Sequence, residues 1–353
     1  MNAVSEGEAP AALTWYDVSE WGVEGRGWDD VERFYDRLPK RAQDMVRGPV
    51  WNLSHHSAGM CTEFITDAPA IHARWVLWSE QLAMWHMPAT GVSGLDMYVW
   101  EEESAQWFWL GVGGPDTAPT VESQLISGLA GRRCRYRLYL PLYNGVESVE
   151  IGLPAGSFFE PVLPRKEKPM VFYGTSIVQG GCASRPGMHH VAILGRRFGC
   201  PVINLGFSGN GMMEPELAQL LAELEPSVYV IDCLPNMSSE LVAERAGRFV
   251  QTLREAHAAT PIVLVEDRSS ANARFIESHR RGHAARRQAL RRVVDRLEDD
   301  GVQGLHYVTG DQLLGLDGEG TVDGSHPSDL GFVRMAEALA PVLKSAVACS
   351  QTS

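Results

Sequence analysis

The pattern of apolar and polar positions changes period part-way along the chain. Up to about residue 160 the apolar residues fall in short runs bounded by turn residues, which predicts strands at 50–53, 59–65, 72–78, 97–100, 107–110, 133–140 and 146–151. Residues 133–140 alternate polar and apolar side chains, the period of a strand with one buried face. Short strands at regular spacing predict an antiparallel β-sandwich. Beyond residue 169 the runs become continuously apolar, at 170–173, 201–205, 228–232, 262–265 and 305–308. Helix-length segments near 188–198, 214–224, 239–258, 278–299 and 328–347 separate or follow them. A strand that is apolar on both faces is buried on both. This half is therefore predicted as a parallel sheet with helices on each side. Residues 160–169, rich in proline and charge, read as a linker, and 1–12 as a flexible tail. The expected units are a sandwich over 13–163 and an α/β domain over 168–349.

Composition narrows the function. A chain of 353 residues can bury a sizeable core without disulfide support. The formal net charge of -13 argues against a nucleic-acid partner, because phosphate binding needs a basic surface. None of the 6 cysteines falls in a Cys-x-x-Cys pair, so no zinc ribbon is expected and a reducing compartment fits. The N-terminus lacks a basic start followed by an apolar run, and no apolar stretch reaches the ~20 residues that span a bilayer. The expectation is a soluble, cytoplasmic protein with no membrane or nucleic-acid partner. Its oligomeric state is not encoded legibly.

In open parallel sheets, ligands bind beyond the carboxyl ends of the strands. Four such ends carry suggestive residues. The first runs into Gly174-Thr175-Ser176, where a serine among glycines can sit exposed on a tight turn. The second ends in Asn204-Leu205-Gly206-Phe207-Ser208-Gly209, whose glycines let backbone N–H groups approach a ligand. The third ends near Asn236, an amide donor, and the last is followed by Asp323-Gly324-Ser325-His326. A serine hydroxyl needs a base, which His326 can supply, and a carboxylate such as Asp323 fixes the histidine tautomer. The N–H groups of Ser176 and Gly209 and the Asn236 side chain are the expected oxyanion donors.

These blocks, in this order, resemble the SGNH (GDSL-like) hydrolases. The resemblance implies Ser176, Asp323 and His326 as catalytic residues and Ser176, Gly209 and Asn236 as the oxyanion hole. The family's Gly-x-Asn-Asp block is reduced here to its Asn236. Gly94-Leu95-Asp96-Met97-Tyr98 resembles the Gly-x-Asp-Leu-Tyr motif of a β-rich domain that precedes one SGNH subfamily, and 181–187 and 329–332 fit that subfamily. The implied fold is a three-layer α/β/α SGNH-hydrolase domain with a parallel sheet, preceded by an antiparallel β-sandwich. The implied activity is hydrolysis of a small ester, with no metal and no organic cofactor. Acyl transfer and, at a greater distance, a non-catalytic binding role are the rival readings.

Other residues have competing readings. Arg185 contacts substrate or braces its turn. Glu266 and Asp267, at the end of the fourth strand, contact substrate or form a salt bridge. Cys182 and Cys233 read as small buried hydrophobes. His279 and His283 are spaced as metal ligands can be, but no third ligand accompanies them. The arginines of 280–296 read as a solvated helix face, and Trp107 and Trp109 as core. The pairs His55-His56 and His189-His190 carry no motif.

Overall fold

The computed structural model describes residues 12–350, with side chains described to residue 347. The tail expected over 1–12 falls almost wholly outside the described residues. Among the described residues the first half holds nine strands: β1 (Leu13–Asp17), β2 (Cys61–Thr66), β3 (Ala70–Leu77), β4 (Leu95–Glu101), β5 (Gln106–Gly113), β6 (Thr120–Ser127), β7 (Cys134–Tyr139), β8 (Val146–Pro154) and β9 (Phe159–Val162). They form two antiparallel sheets, ordered β1-β8-β3-β6 and β5-β4-β7-β2-β9. Phe64, Trp75, Leu138 and Ile151 fill the core they share. The alternation read in β7 is realised. Tyr136 and Leu138 point into that core, while Arg135 and Arg137 bond Glu63 on the neighbouring strand.

Two local expectations fail. Residues 50–53 are helical, within α1 (Gly48–Ser54). Pro49 lies in its first turn, where the missing N–H is unneeded and the fixed φ suits a helix. The expected linker begins as a strand. β9 pairs antiparallel with β2, Pro161 standing opposite Phe64 at the sheet edge, where a proline disturbs no inner ladder. A second short helix, α2 (Ala89–Val92), precedes β4.

The second half is built on β10 (Met170–Gly174), β11 (Val202–Gly206), β12 (Val228–Asp232), β13 (Ile262–Val265) and β14 (Leu305–Val308), all parallel in the order β11-β10-β12-β13-β14. Its helices are α3 (Ser176–Gln179), α4 (His190–Phe198), α5 (Pro215–Leu221), α6 (Ser239–Ala256), α7 (Glu277–Asp299) and α8 (Asp329–Ser350). Val171, Tyr173, Leu205 and Ile231 face α5, α6 and α7, and Phe172, Val230 and Val263 face α3, α4 and α8. Each such side chain taken out of water contributes about 1.5–3 kcal/mol, which is why these strands are apolar throughout. No described helix is long and apolar enough to cross a membrane. The strand order reverses at β10, and that reversal opens a crevice at its carboxyl end.

The two halves share an unusual joint. Trp28, Leu38, Ala42, Val50 and Trp51 from the first half pack into the core between the parallel sheet and α5–α7. Beside them, buried Arg37 donates to the carbonyls of Leu53 at 2.6 Å and His56 at 2.8 Å, and to those of Asn204 at 3.2 Å and Gly206 at 2.7 Å. A buried guanidinium has five donors to satisfy, and carbonyls from both halves answer four of these contacts.

Candidate active site

Strand β10 ends at Gly174, and the chain turns at once into α3. Thr175 caps that helix, its hydroxyl accepting from the N–H of Ile177. Ser176 is thus the first helical residue, and its N–H has no partner within the helix. Ser176 Oγ lies 2.9 Å from His326 Nε2, and His326 Nδ1 lies 2.7 Å from Asp323 Oδ2. The second carboxylate oxygen of Asp323 accepts from the backbone N–H of Ser325 at 2.9 Å and of His326 at 2.8 Å. Partial burial raises the Asp323 carboxyl, but these hydrogen bonds and the imidazole outweigh it and hold it at about 2. An ionised Asp323 keeps the proton on Nδ1, so Nε2 presents its lone pair to the serine hydroxyl.

The loop after β11 supplies the facing wall. Gly206 packs so closely on α3 that a Cβ there would stand 2.1 Å from the Gln179 nitrogen. Gln179 ties the loop down, accepting from Ser208 N–H at 2.9 Å and donating to Leu142 O at 3.1 Å. Gly209 has φ +66°, a left-handed conformation that favours glycine, and nothing lies within 4 Å of where its Cβ would be. Asn236 lies in the short turn after β12, and its amide donates to Asn210 O on the same loop. The loop after β11 is thus held against α3, and the turn after β12 is bonded to that loop.

Comparison with known proteins fits this geometry. The profile of the GDSL-like lipase/acylhydrolase family matches residues 167–344, and that of the N-terminus of SGNH-hydrolase-type esterases matches 13–159. A solved structure described as a GDSL-like lipase from Bacteroides ovatus is 33% identical over 96% of this chain and 98% of its own, with a TM-score of 0.90. This chain belongs to the GDSL-like lipase/acylhydrolase family. Two more distant structures share the fold. A salicylyl-acyltransferase from a tetracycline biosynthetic pathway is 20% identical over 96% of this chain and 98% of its own, with a TM-score of 0.75. A family two carbohydrate esterase from Clostridium thermocellum is 16% identical over 83% of this chain and 94% of its own, with a TM-score of 0.56. A comparison with curated protein sequences found no match.

The remaining candidates of this GDSL-like hydrolase have protein partners. Arg185 Nη1 donates to Asp96 at 2.8 Å and to Tyr98 OH at 2.6 Å, so the Gly-x-Asp-Leu-Tyr-like motif and the arginine behind the nucleophile form one cluster. Glu266 accepts from Tyr307 OH at 2.7 Å and Gly310 N–H at 2.8 Å. Asp267 forms the salt bridge, receiving Arg268, Arg286 and His283. His283 also meets Ser270 Oγ at 2.6 Å, and His279 meets Asn272, so both rings of the i, i+4 pair are engaged by protein. Trp109 donates to Asp96 at 3.0 Å yet remains 49% exposed, so it is not a core residue.

Several neighbours of the site escaped the sequence reading. Tyr143 OH donates to the Ser176 carbonyl at 3.2 Å. The ring of His86 lies 5.5 Å from that of His326, nearly perpendicular to it, and stacks on Trp85 at 4.5 Å. Arg268 donates through Nε to Ser325 O at 3.3 Å and through Nη2 to Ser325 Oγ, gripping the loop that carries Asp323 and His326. Arg268 had a signal, since it closely follows the carboxyl end of β13. Tyr143 and His86 had none, because loops of the first half bring them in.

Proposed function

We propose that this protein is a serine esterase that removes a short acyl group, such as acetyl, from a sugar or other small polar alcohol through an acyl-enzyme on Ser176. The observation that carries the reading is the unbroken hydrogen-bonded line from Ser176 Oγ through His326 to Asp323. His326 takes the serine proton as Oγ attacks the acyl carbon. The Ser176 and Gly209 N–H groups and the Asn236 amide stabilise the oxyanion, each donor contributing roughly 3–4 kcal/mol to the barrier reduction. The imidazolium protonates the departing alcohol, and water repeats the sequence on the acyl-enzyme. The resemblance in fold to carbohydrate esterases supports an acylated sugar as substrate.

Ser176→Ala tests the reading on nitrophenyl acetate and on a panel of acetylated sugars. A fall in kcat on the order of 10⁴-fold or more is expected, with a trapped acyl group on Ser176 of the unaltered protein by mass spectrometry. Unchanged turnover in the variant would remove Ser176 as the nucleophile. The acyltransferase among the structures of like fold supports a second reading, in which an acceptor alcohol replaces water in the last step. Product analysis with and without acceptor separates the two.

A further inference from the structure

We propose that His86, Cys182, Asp323 and His326 form an inhibitory zinc site at the catalytic histidine. Among the described residues, one donor atom from each lies within 4.8 Å of the others. Two imidazoles, a thiol and a carboxylate match the mixed nitrogen, sulfur and oxygen preference of Zn²⁺ and number the four that its tetrahedral shell takes. Charge balances too. A thiolate and a carboxylate neutralise the dication while both imidazoles stay neutral, so the filled site is uncharged, and burying it costs less than burying an isolated ion.

Two further observations point to a ligand. Nδ1 of His86 is buried and has no hydrogen-bond partner among the described residues, and the ring stands nearly perpendicular to that of His326. Cys182 stands at φ +74°, in the left-handed region that favours glycine, directly after Gly180 and Gly181. A side chain has been placed there at a conformational cost. That thiol is free of disulfide, is 5% exposed, and faces Asp323 closely enough to feel its charge. Burial, with Asp323 adding to it, pushes the thiol up to about 12, which argues against a role as a nucleophile or redox sensor. A bound dication reverses that environment and displaces the thiol proton to solvent.

The consequence is mechanical. Zinc held by His326 and Asp323 occupies the groups that deprotonate Ser176, so the serine loses its base. Only this inhibitory effect rests on the esterase reading; the binding does not.

Cobalt(II), as a coloured stand-in, tests the binding. Metal-free protein is expected to take up one Co²⁺ per chain with a thiolate-to-metal absorption band that Zn²⁺ abolishes. Cys182→Ser should remove the band and His86→Gln should weaken uptake. In parallel, Zn²⁺ should inhibit nitrophenyl acetate hydrolysis and a chelator should restore it. Both variants should keep metal-free activity but need at least about tenfold more zinc for half-inhibition. His86 is partly exposed, so its variant guards against a folding failure at Cys182. No thiolate band, or equal half-inhibitory zinc in all three proteins, overturns the proposal. A normal band in a protein without esterase activity would leave the zinc site standing and defeat the esterase reading instead.

Discussion

Arg185 reaches Asp96 at 2.8 Å and joins the segment behind the nucleophile to a strand of the antiparallel half. Asp96 is fully buried and also accepts from Gly187 N–H at 2.7 Å and Trp109 Nε1 at 3.0 Å. Removing the guanidinium strands a carboxylate away from water. Arg185→Ala is therefore expected to lower stability by about 3 kcal/mol, read from the urea midpoint with an unchanged slope. A raised KM at unchanged stability would instead restore Arg185 to the substrate-contacting role that its place in the sequence suggested.

Arg268 does for the histidine loop what Gln179 does for the opposite wall. It is anchored on Asp267 at 2.5 Å and holds Ser325, one residue from His326. Arg268→Ala should let the loop drift. A misplacement near 1 Å costs on the order of 100-fold, so the expected result is a kcat lower by roughly 10- to 100-fold with KM little changed. Steady-state kinetics on nitrophenyl acetate check this. Equal loss in kcat and stability with no recovery in Arg268→Lys would mark a purely structural role.

Buried histidines make the fold acid-sensitive. Burial pulls His189 down to about 4 and His190 to about 3, with a neighbouring cation or histidine adding to the effect; burial and then Arg37 and His55 bring His56 to about 3. Their unfolded value is near 6.5. Between these limits the unfolded chain binds more protons than the native one, so stability is fully present above about 6.5 and falls as pH drops. Each histidine contributes about 1.4 kcal/mol per pH unit to that slope. His190 lies between Phe172 and Phe332, so His190→Phe should fold and show a shallower acid loss. Urea unfolding from pH 7 to 4.5 measures it; an unaltered slope would remove His190 from the account.

The parallel half was legible almost residue by residue. The five strands β10–β14 each fall within one residue of the predicted run at either end, because burial on both faces leaves an unbroken apolar signature. The antiparallel half was read less fully. β1, β6 and β9 were missed: β6 shows mixed polar and apolar exposure, and β9 is a four-residue edge strand broken by Pro161. At the site, Ser176, Gly209 and Asn236 stood just beyond strand ends, where topology makes position informative, and Asp323 and His326 were read from their Asp-x-x-His spacing in the segment after the last strand. His86 and Tyr143 could not be read in their places, since their nearness to His326 or Ser176 depends on how two separately patterned halves meet, whereas Cys182 stood near Ser176 in the sequence and read only as a small buried hydrophobe.

Arg37 has a consequence for how the halves depend on each other. Carbonyls 204 and 206, at the root of the loop bearing Gly209, share one cation with carbonyls 53 and 56. A carboxyl-terminal half on its own would keep Ser176, Asp323 and His326 but leave those two carbonyls without their cation. The root of that loop is thus a seam, its polar groups shared between stretches of chain more than 160 residues apart.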